Sequence, residues 1–143
     1  VDTCGYAPYA DFDAILPLTD LFLFDLKILD EDRHRLLTGV SNRRLISNLR
    51  KLSSRARQLA IRVPLIPGCN DSAADLAALA DFCASLPRRH PVHLLPYHRG
   101  GSGKSKRLGR VDPLAATRPP TPAAVQQARE IFLKRKLIVT IGG

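Results

Sequence analysis

Apolar residues along this chain fall into two alternating kinds of run. Short, nearly unbroken runs occur within TDLFLFDLKILD (Thr19–Asp30), AIRVPLIPG (Ala60–Gly68), PVHLLPYH (Pro91–His98) and LIVTIG (Leu137–Gly142). Runs this short, bounded by turn residues and charges, predict buried strands. Longer segments between them carry apolar residues at helical spacing. Leu45, Leu49, Leu52, Ala56 and Leu59 recur within SNRRLISNLRKLSSRARQLA, with Ser41 or Asn42 able to cap the start. Leu76, Leu79, Cys83 and Leu86 share one face of DSAADLAALADFCASL, with Asp71 or Ser72 as cap. TPAAVQQAREIFLKRK predicts a third helix. Thr121 caps it, Pro122 takes its first position, and Lys134, Arg135 and Lys136 suit the negative end of its dipole.

Strands alternating with helices imply a parallel α/β arrangement, open or barrel-like, in one domain spanning residues 1–143. Nearly continuous apolar strands further predict burial on both faces of the sheet. The only linker-like segment is a flexible basic loop at about residues 100–120, rich in Gly and Pro. In such folds ligands bind beyond the C-terminal ends of the strands. Those ends carry Asp2-Thr3, Asp25-Leu26-Lys27 and Tyr97-His98, with Arg62 inside its strand.

Composition narrows the picture. The 143 residues are 45% hydrophobic, enough for a core, and contain no apolar run long enough to span a membrane. The first residues lack the basic and apolar regions of a signal peptide. Cys4, Cys69 and Cys83 are odd in number and far apart, which fits a reducing, cytoplasmic compartment and gives no local metal-binding pair. The absence of methionine, and an opening VDTCG that reads as the tail of a strand, point to a fragment. Net charge is +9, favouring anionic partners. The basic residues are spread over the chain with few aromatics between them, so a nucleic-acid-binding module stands only as the alternative reading.

Candidate chemistry sits at the strand ends. Asp25 and Lys27, two apart, lie on one face of their strand, where they can pair with each other or hold a zwitterion or a ribose. Gly103-Lys104-Ser105 matches the end of a phosphate-binding loop, but His98 stands where its first glycine belongs and no helical pattern follows. That leaves His98, at the end of its strand, as the residue of interest there. His34 lies in a charged helix-like segment, His90 beside Arg88, Arg89 and Pro91 in a turn, His93 within the strand PVHLLPYH, and Cys83 on an apolar helix face.

Five stretches in order carry a resemblance. They are DTCG (Asp2–Gly5), TDLFLFDLK (Thr19–Lys27), HRLLTGVSN (His34–Asn42), IRVPLIPGCND (Ile61–Asp71) and LLPYHRGGSGK (Leu94–Lys104), followed by Leu108-Gly109. Together they resemble the C-terminal half to two-thirds of the radical SAM enzymes that activate glycyl radical enzymes, the pyruvate formate-lyase activating enzyme family. The resemblance implies part of a (β/α)6 barrel with S-adenosylmethionine and a four-iron four-sulfur cluster at its C-terminal mouth. It implies that Asp2, Thr3, Asp25, Lys27, Arg62 and His98 border S-adenosylmethionine. A monovalent cation at Asp2, Thr3 and Asp25 would assist. The implied partners are a glycyl radical enzyme, from which hydrogen is abstracted after reductive cleavage of the cofactor, and an electron donor such as flavodoxin or ferredoxin. The family's C-x-x-x-C-x-x-C loop and GGEP-like segment have no counterpart here, so the expectation is a fragment inactive alone. An exposed strand edge near Asp25 and marginal stability are expected with it. Ser105 departs from the aromatic residue that often follows the lysine in this family.

Overall fold

A computed structural model describes residues 1–98 and 116–142; the expected basic loop up to residue 115 and the Gly103-Lys104-Ser105 stretch lie outside the described residues, as do Leu108 and Gly109. The elements run β1 (Asp2–Thr3), α1 (Tyr9–Ile15), β2 (Leu21–Asp25), α2 (Glu31–Thr38), α3 (Arg43–Arg55), β3 (Gln58–Leu65), α4 (Ala73–Ala84), β4 (Val92–Pro96), α5 (Pro122–Leu133) and β5 (Val139–Ile141). A turn of 3-10 helix, Leu16–Leu18, follows α1.

The five strands form one parallel sheet in chain order, β1-β2-β3-β4-β5. Asp25 pairs with Arg62, and Arg62 with His93. Crossovers between parallel strands are right-handed. When every strand is laid beside its predecessor in the same direction, that rule places every crossover on the same side. The sheet is therefore wound like a barrel wall.

Its helix-covered face carries Phe22, Phe24, Ile61, Val63, Val92 and Leu94, which join Leu49 and Leu52 of α3, Leu79 of α4 and Phe132 of α5 in one buried cluster. The opposite face carries Leu23 and Asp25 of β2, Arg62 and Pro64 of β3, and His93 and Leu95 of β4, all only half-buried. Burial on both faces, expected from the apolar runs, is thus not what the described residues form. Single-sided winding gives the strands an alternation instead, interrupted at the buried Ala60 of β3, with the second residue type partly polar.

Local signals explain the element ends. Thr121 and Ser72 cap α5 and α4 through their hydroxyls. The helical pattern expected to reach Leu59 stops at Arg55, where Ala56 turns extended, and Leu59 lies in β3. Asn42 holds the cap position of α3, but its side chain is committed elsewhere, and Ser41 Oγ accepts the Arg43 N–H. The short helix α1, not foreseen from the pattern, buries only Phe12, whose ring packs 6.3 Å from that of Phe22.

His90 is buried below the sheet, where Ser53 Oγ lies 2.7 Å from its Nε2. Burial, then the Arg88 guanidinium, hold its pKa below the usual 6.5. The folded protein keeps this ring neutral while the unfolded chain protonates it below pH ~6.5. Stability from His90 is therefore full above that pH and is lost as pH falls toward the depressed folded value. The melting temperature is expected to decline from pH 7 to pH 5, and His90→Gln to flatten that slope in a thermal scan at each pH. An equal slope in the variant would contradict this assignment.

Candidate functional site

Four of the six residues singled out in the sequence meet on the face without helices. Arg62 extends from β3 across β2 toward β1. Its Nε donates to Asp25 Oδ1 at 2.7 Å, and one terminal nitrogen donates to Asp2 Oδ2 at 2.8 Å. The other terminal nitrogen reaches Asp2 Oδ1. Lys27 Nζ lies 3.6 Å from Asp25 Oδ2. Three adjacent strands and the segment just past β2 thus bring two carboxylates and two cations into one cluster. The strand geometry dictates this: Asp25 and Arg62 are register partners, and Lys27 follows Asp25 by two residues. Partly exposed ion pairs contribute only about 0–1 kcal/mol each, so stability alone is a poor reason for four charges here. The cluster presents positive and negative groups side by side, suited to a zwitterionic or polyhydroxylic ligand.

The other two residues stand apart from it. Thr3 Oγ1 accepts the Gly5 N–H and helps close the turn after β1. His98 is exposed, two residues beyond the end of β4. Within the same face, His93 Nδ1 lies 2.9 Å from Thr140 Oγ1.

The loops leaving β1 and β2 are held by three buried asparagines, of which the sequence pattern singled out only Asn42, and that as a helix cap. Asn42 Nδ2 donates to the carbonyls of Ile28 and Leu29, at 3.2 and 2.7 Å. Asn70 Nδ2 donates to the carbonyls of Lys27 and Pro64, at 2.8 and 2.6 Å, while its Oδ1 accepts the Ile66 N–H. Asn48 Nδ2 donates to the carbonyls of Gly5 and Ala7, both at 2.9 Å. Three successive carbonyls after β2 are thereby paired without a strand partner, which buried backbone requires. Gly5 itself has φ +75°, and a Cβ there would collide with the Phe24 ring. A signal for Asn42 and Asn70, though not for Asn48, was present in the motifs HRLLTGVSN and IPGCND. Neither spacing nor type announces a clamp.

Helix α2 stands over the strand ends. Asp30 caps it, and Arg33 ties it to α4 through Asp75 Oδ1 at 2.6 Å and to the Cys69 carbonyl at 2.5 Å. Hydrogen bonds from Ser72 and Arg33 hold the Asp75 carboxyl below the usual carboxylate range, against the effect of burial. Beneath α2 lies a cavity of about 230 Å³ lined by Cys4, Tyr6, Asp25, Lys27, His34, Thr38, Val40 and Leu45. His34, expected in a charged helix-like segment, does lie in α2, where it is buried and lines this cavity.

The cysteines do not form a metal centre. Cys4 is exposed, Cys69 half-buried, and Cys83 lies in the core, where burial pushes its thiol up to about 12. Among the described residues no group of three or more His, Cys, Asp or Glu side chains is placed to hold a metal ion. No described helix is long and apolar enough to cross a membrane.

Comparison with known proteins gives a consistent set. A solved domain of pyruvate-formate lyase-activating enzyme from Bacteroides vulgatus superposes with a TM-score of 0.82 at 30% identity, covering 100% of this chain and 80% of that one. Isethionate sulfite-lyase activating enzyme of Oleidesulfovibrio alaskensis is 43% identical over 116 residues, 80% of this chain and 37% of the relative. Pyruvate formate-lyase 2-activating enzyme of Escherichia coli is 34% identical over 143 residues, 100% of this chain and 49% of the relative. A radical SAM methyltransferase from Sphaerobacter thermophilus shares the fold, with a TM-score of 0.72 at 24% identity over 99% of this chain and 39% of that one. No protein-family model matches the chain. The chain spans about half the length, or less, of these two sequence relatives.

Replacing Asn70 by Ala removes the partners of two buried carbonyls and one N–H. The cost of unsatisfied buried groups predicts a loss of about 2–4 kcal/mol, read as a lower urea midpoint. A loss below 0.5 kcal/mol would mean that the Lys27 segment does not depend on this side chain.

Proposed function

The chain belongs to the glycyl-radical-enzyme activating enzymes, and from that premise we propose that it forms the wall of the barrel against which S-adenosylmethionine is held. The observation that carries this reading is the cluster of Asp2, Asp25, Lys27 and Arg62 on the face without helices. A methionine moiety bears a carboxylate and an ammonium, and the cluster offers a complement to each. Lys27 is the cation for the carboxylate, and Asp25 the anion for the ammonium. Arg62, a planar donor suited to carboxylates and hydroxyls, neutralises Asp2 and Asp25 until a ligand or a monovalent cation takes part of that role. Thr3 and His98 belong to the site in this reading as flanking contacts, His98 on the nucleoside side.

The chemistry that S-adenosylmethionine supplies, when bound next to a reduced four-iron cluster, is hydrogen abstraction from a glycine of a partner enzyme. The described residues do not fit the cluster itself: Cys4, Cys69 and Cys83 are not grouped, and Cys83 is sealed in the core. Cluster ligation, and with it catalysis and any exchange with an electron donor such as flavodoxin or ferredoxin, belongs in this reading to residues beyond those of this chain. What this chain does is bind and orient. The three asparagines fix the loops, the sheet fixes Asp25 and Arg62 in register, and the apolar face behind them keeps the wall rigid. The fragment alone is inactive in this proposal.

Titration calorimetry of the 143-residue chain with S-adenosylmethionine tests it. Saturable binding is expected. Asp25→Asn and Lys27→Ala should each weaken it at least tenfold, equivalent to about 1.4 kcal/mol. No saturable binding, or binding that ignores both substitutions, would overturn the assignment.

A further inference from the structure

The chain enters β2, β3 and β4 at the end of the sheet opposite the Asp25–Arg62 cluster. Leu21 pairs with Gln58 at that end, and Asp25 with Arg62 four residues further on, about 13 Å away at the rise of a parallel strand. A cavity of about 310 Å³ lies there, lined by the loop that joins α3 to β3 and the loop that joins α4 to β4. Arg57 comes from the first loop, Arg88 and Arg89 from the second. Leu21, Leu59 and Pro91 give the cavity apolar walls, and the buried His90 lines it too.

Among the described residues no carboxylate lines this cavity. Two of its three guanidiniums are held by neutral groups. Arg88 donates to the Ala56 carbonyl at 2.5 Å, and Arg89 Nη1 to the Arg135 carbonyl at 3.1 Å. Such bonds fix a guanidinium without cancelling its charge. Arg57 has a carboxylate partner, Asp20 at 2.6 Å, in a pair whose side chains are both largely exposed. Burial, then the charge of Arg88, hold the His90 pKa down, and a neighbouring anion would relieve the second effect. The helix dipole does not account for the set. It favours cations within the last turn of a helix, where Arg55 of α3 sits. Arg57, Arg88 and Arg89 lie beyond the ends of α3 and α4. Of the three, Arg88 serves a helix end, that of α3, through Ala56.

A guanidinium carries five N–H donors in one plane, a fork that matches phosphate oxygens two at a time. The cavity is close to the ~300 Å³ at which sites for whole small-molecule ligands begin. Three such forks beside apolar walls suit a compact anion of more than one charge that also has an organic part. We propose that this cavity binds a small phosphorylated molecule, with its phosphoryl oxygens on Arg57, Arg88 and Arg89 and its organic part against Leu21 and Pro91. The site shares no residue with the cofactor wall and does not rest on that reading. It gives part of the chain's +9 charge a ligand. Asp20 competes with that ligand for Arg57.

The test uses the 143-residue chain with histidine labelled at its ring nitrogens. The probes are inorganic diphosphate and, separately, ADP. Each is expected to move the His90 resonances saturably and to leave those of His34 and His98 in place. Arg57→Gln and Arg89→Gln, both at exposed positions, should each weaken binding at least fivefold. Asp20→Asn releases Arg57 and should tighten binding at least twofold, a sign that mere damage to the fold does not produce. S-adenosylmethionine is expected to leave His90 unmoved, so this assignment and the cofactor assignment stand or fall separately. No saturable movement of His90 by either phosphate compound up to about 1 mM would overturn the proposal. An undiminished response in the chain carrying both arginine substitutions would do the same. A single-stranded oligonucleotide that binds a hundredfold more tightly than ADP, with an affinity that falls steeply with salt, would overturn it too and give this end of the sheet to nucleic acid.

Discussion

A parallel sheet laid down in chain order has no choice about where its helices go. Each right-handed crossover lands on the same side, so one face is sealed by α1, α3, α4 and α5 and the other is left to the strands themselves. Everything functional in this protein follows from that asymmetry. The sealed face takes Phe22, Phe24, Ile61, Val63, Val92 and Leu94 and supplies the cohesion. The bare face takes every second residue, and that is where Asp25, Arg62 and His93 fall into lateral register. Charges are tolerated there because the surface is only half-buried. Buried on both sides, the same four charges would cost several kcal/mol each to desolvate.

Precision at the strand ends comes from side-chain amides. Beyond β2 the chain leaves the ladder after the Leu26 N–H reaches the Arg62 carbonyl. The next three carbonyls would be left unpaired against a packed interior. Asn70 and Asn42 take them, and Asn48 does the same for the turn after β1. Each amide uses both of its protons on backbone oxygens, a role that neither aspartate nor glutamine fills at the same length and charge. The loop that carries Lys27 is in this way fixed from two other segments, one entering α3 and one leaving β3. Arg33 and Glu31 then secure α2 above it.

Much of this was legible in the sequence. The strand–helix alternation, the capping residues Ser72 and Thr121, the core position of Cys83 and the shared face of Asp25 and Lys27 all follow from periodicity and residue type. Two-sided burial was misread because the runs LFLF and LLP look continuously apolar, whereas Leu23 and Leu95 lie on the half-buried face. Leu59 continued the helical spacing of α3 by coincidence, since a strand beginning at Gln58 places a buried residue at the same position. The asparagine clamps and the His34 cavity were not legible. Their meaning depends on carbonyls and walls contributed by segments as far as 43 residues away, a distance over which local pattern carries no information.

The central claim is that the bare face of the sheet is the cofactor-facing wall. Its most direct test is amide chemical-shift mapping of the chain with S-adenosylmethionine. The account predicts shifts concentrated at Thr3, Asp25, Lys27 and Arg62, with the outward surfaces of α4 and α5 unmoved. Shifts confined to the helix side, or spread with no focus at the ends of β1 and β2, would contradict it.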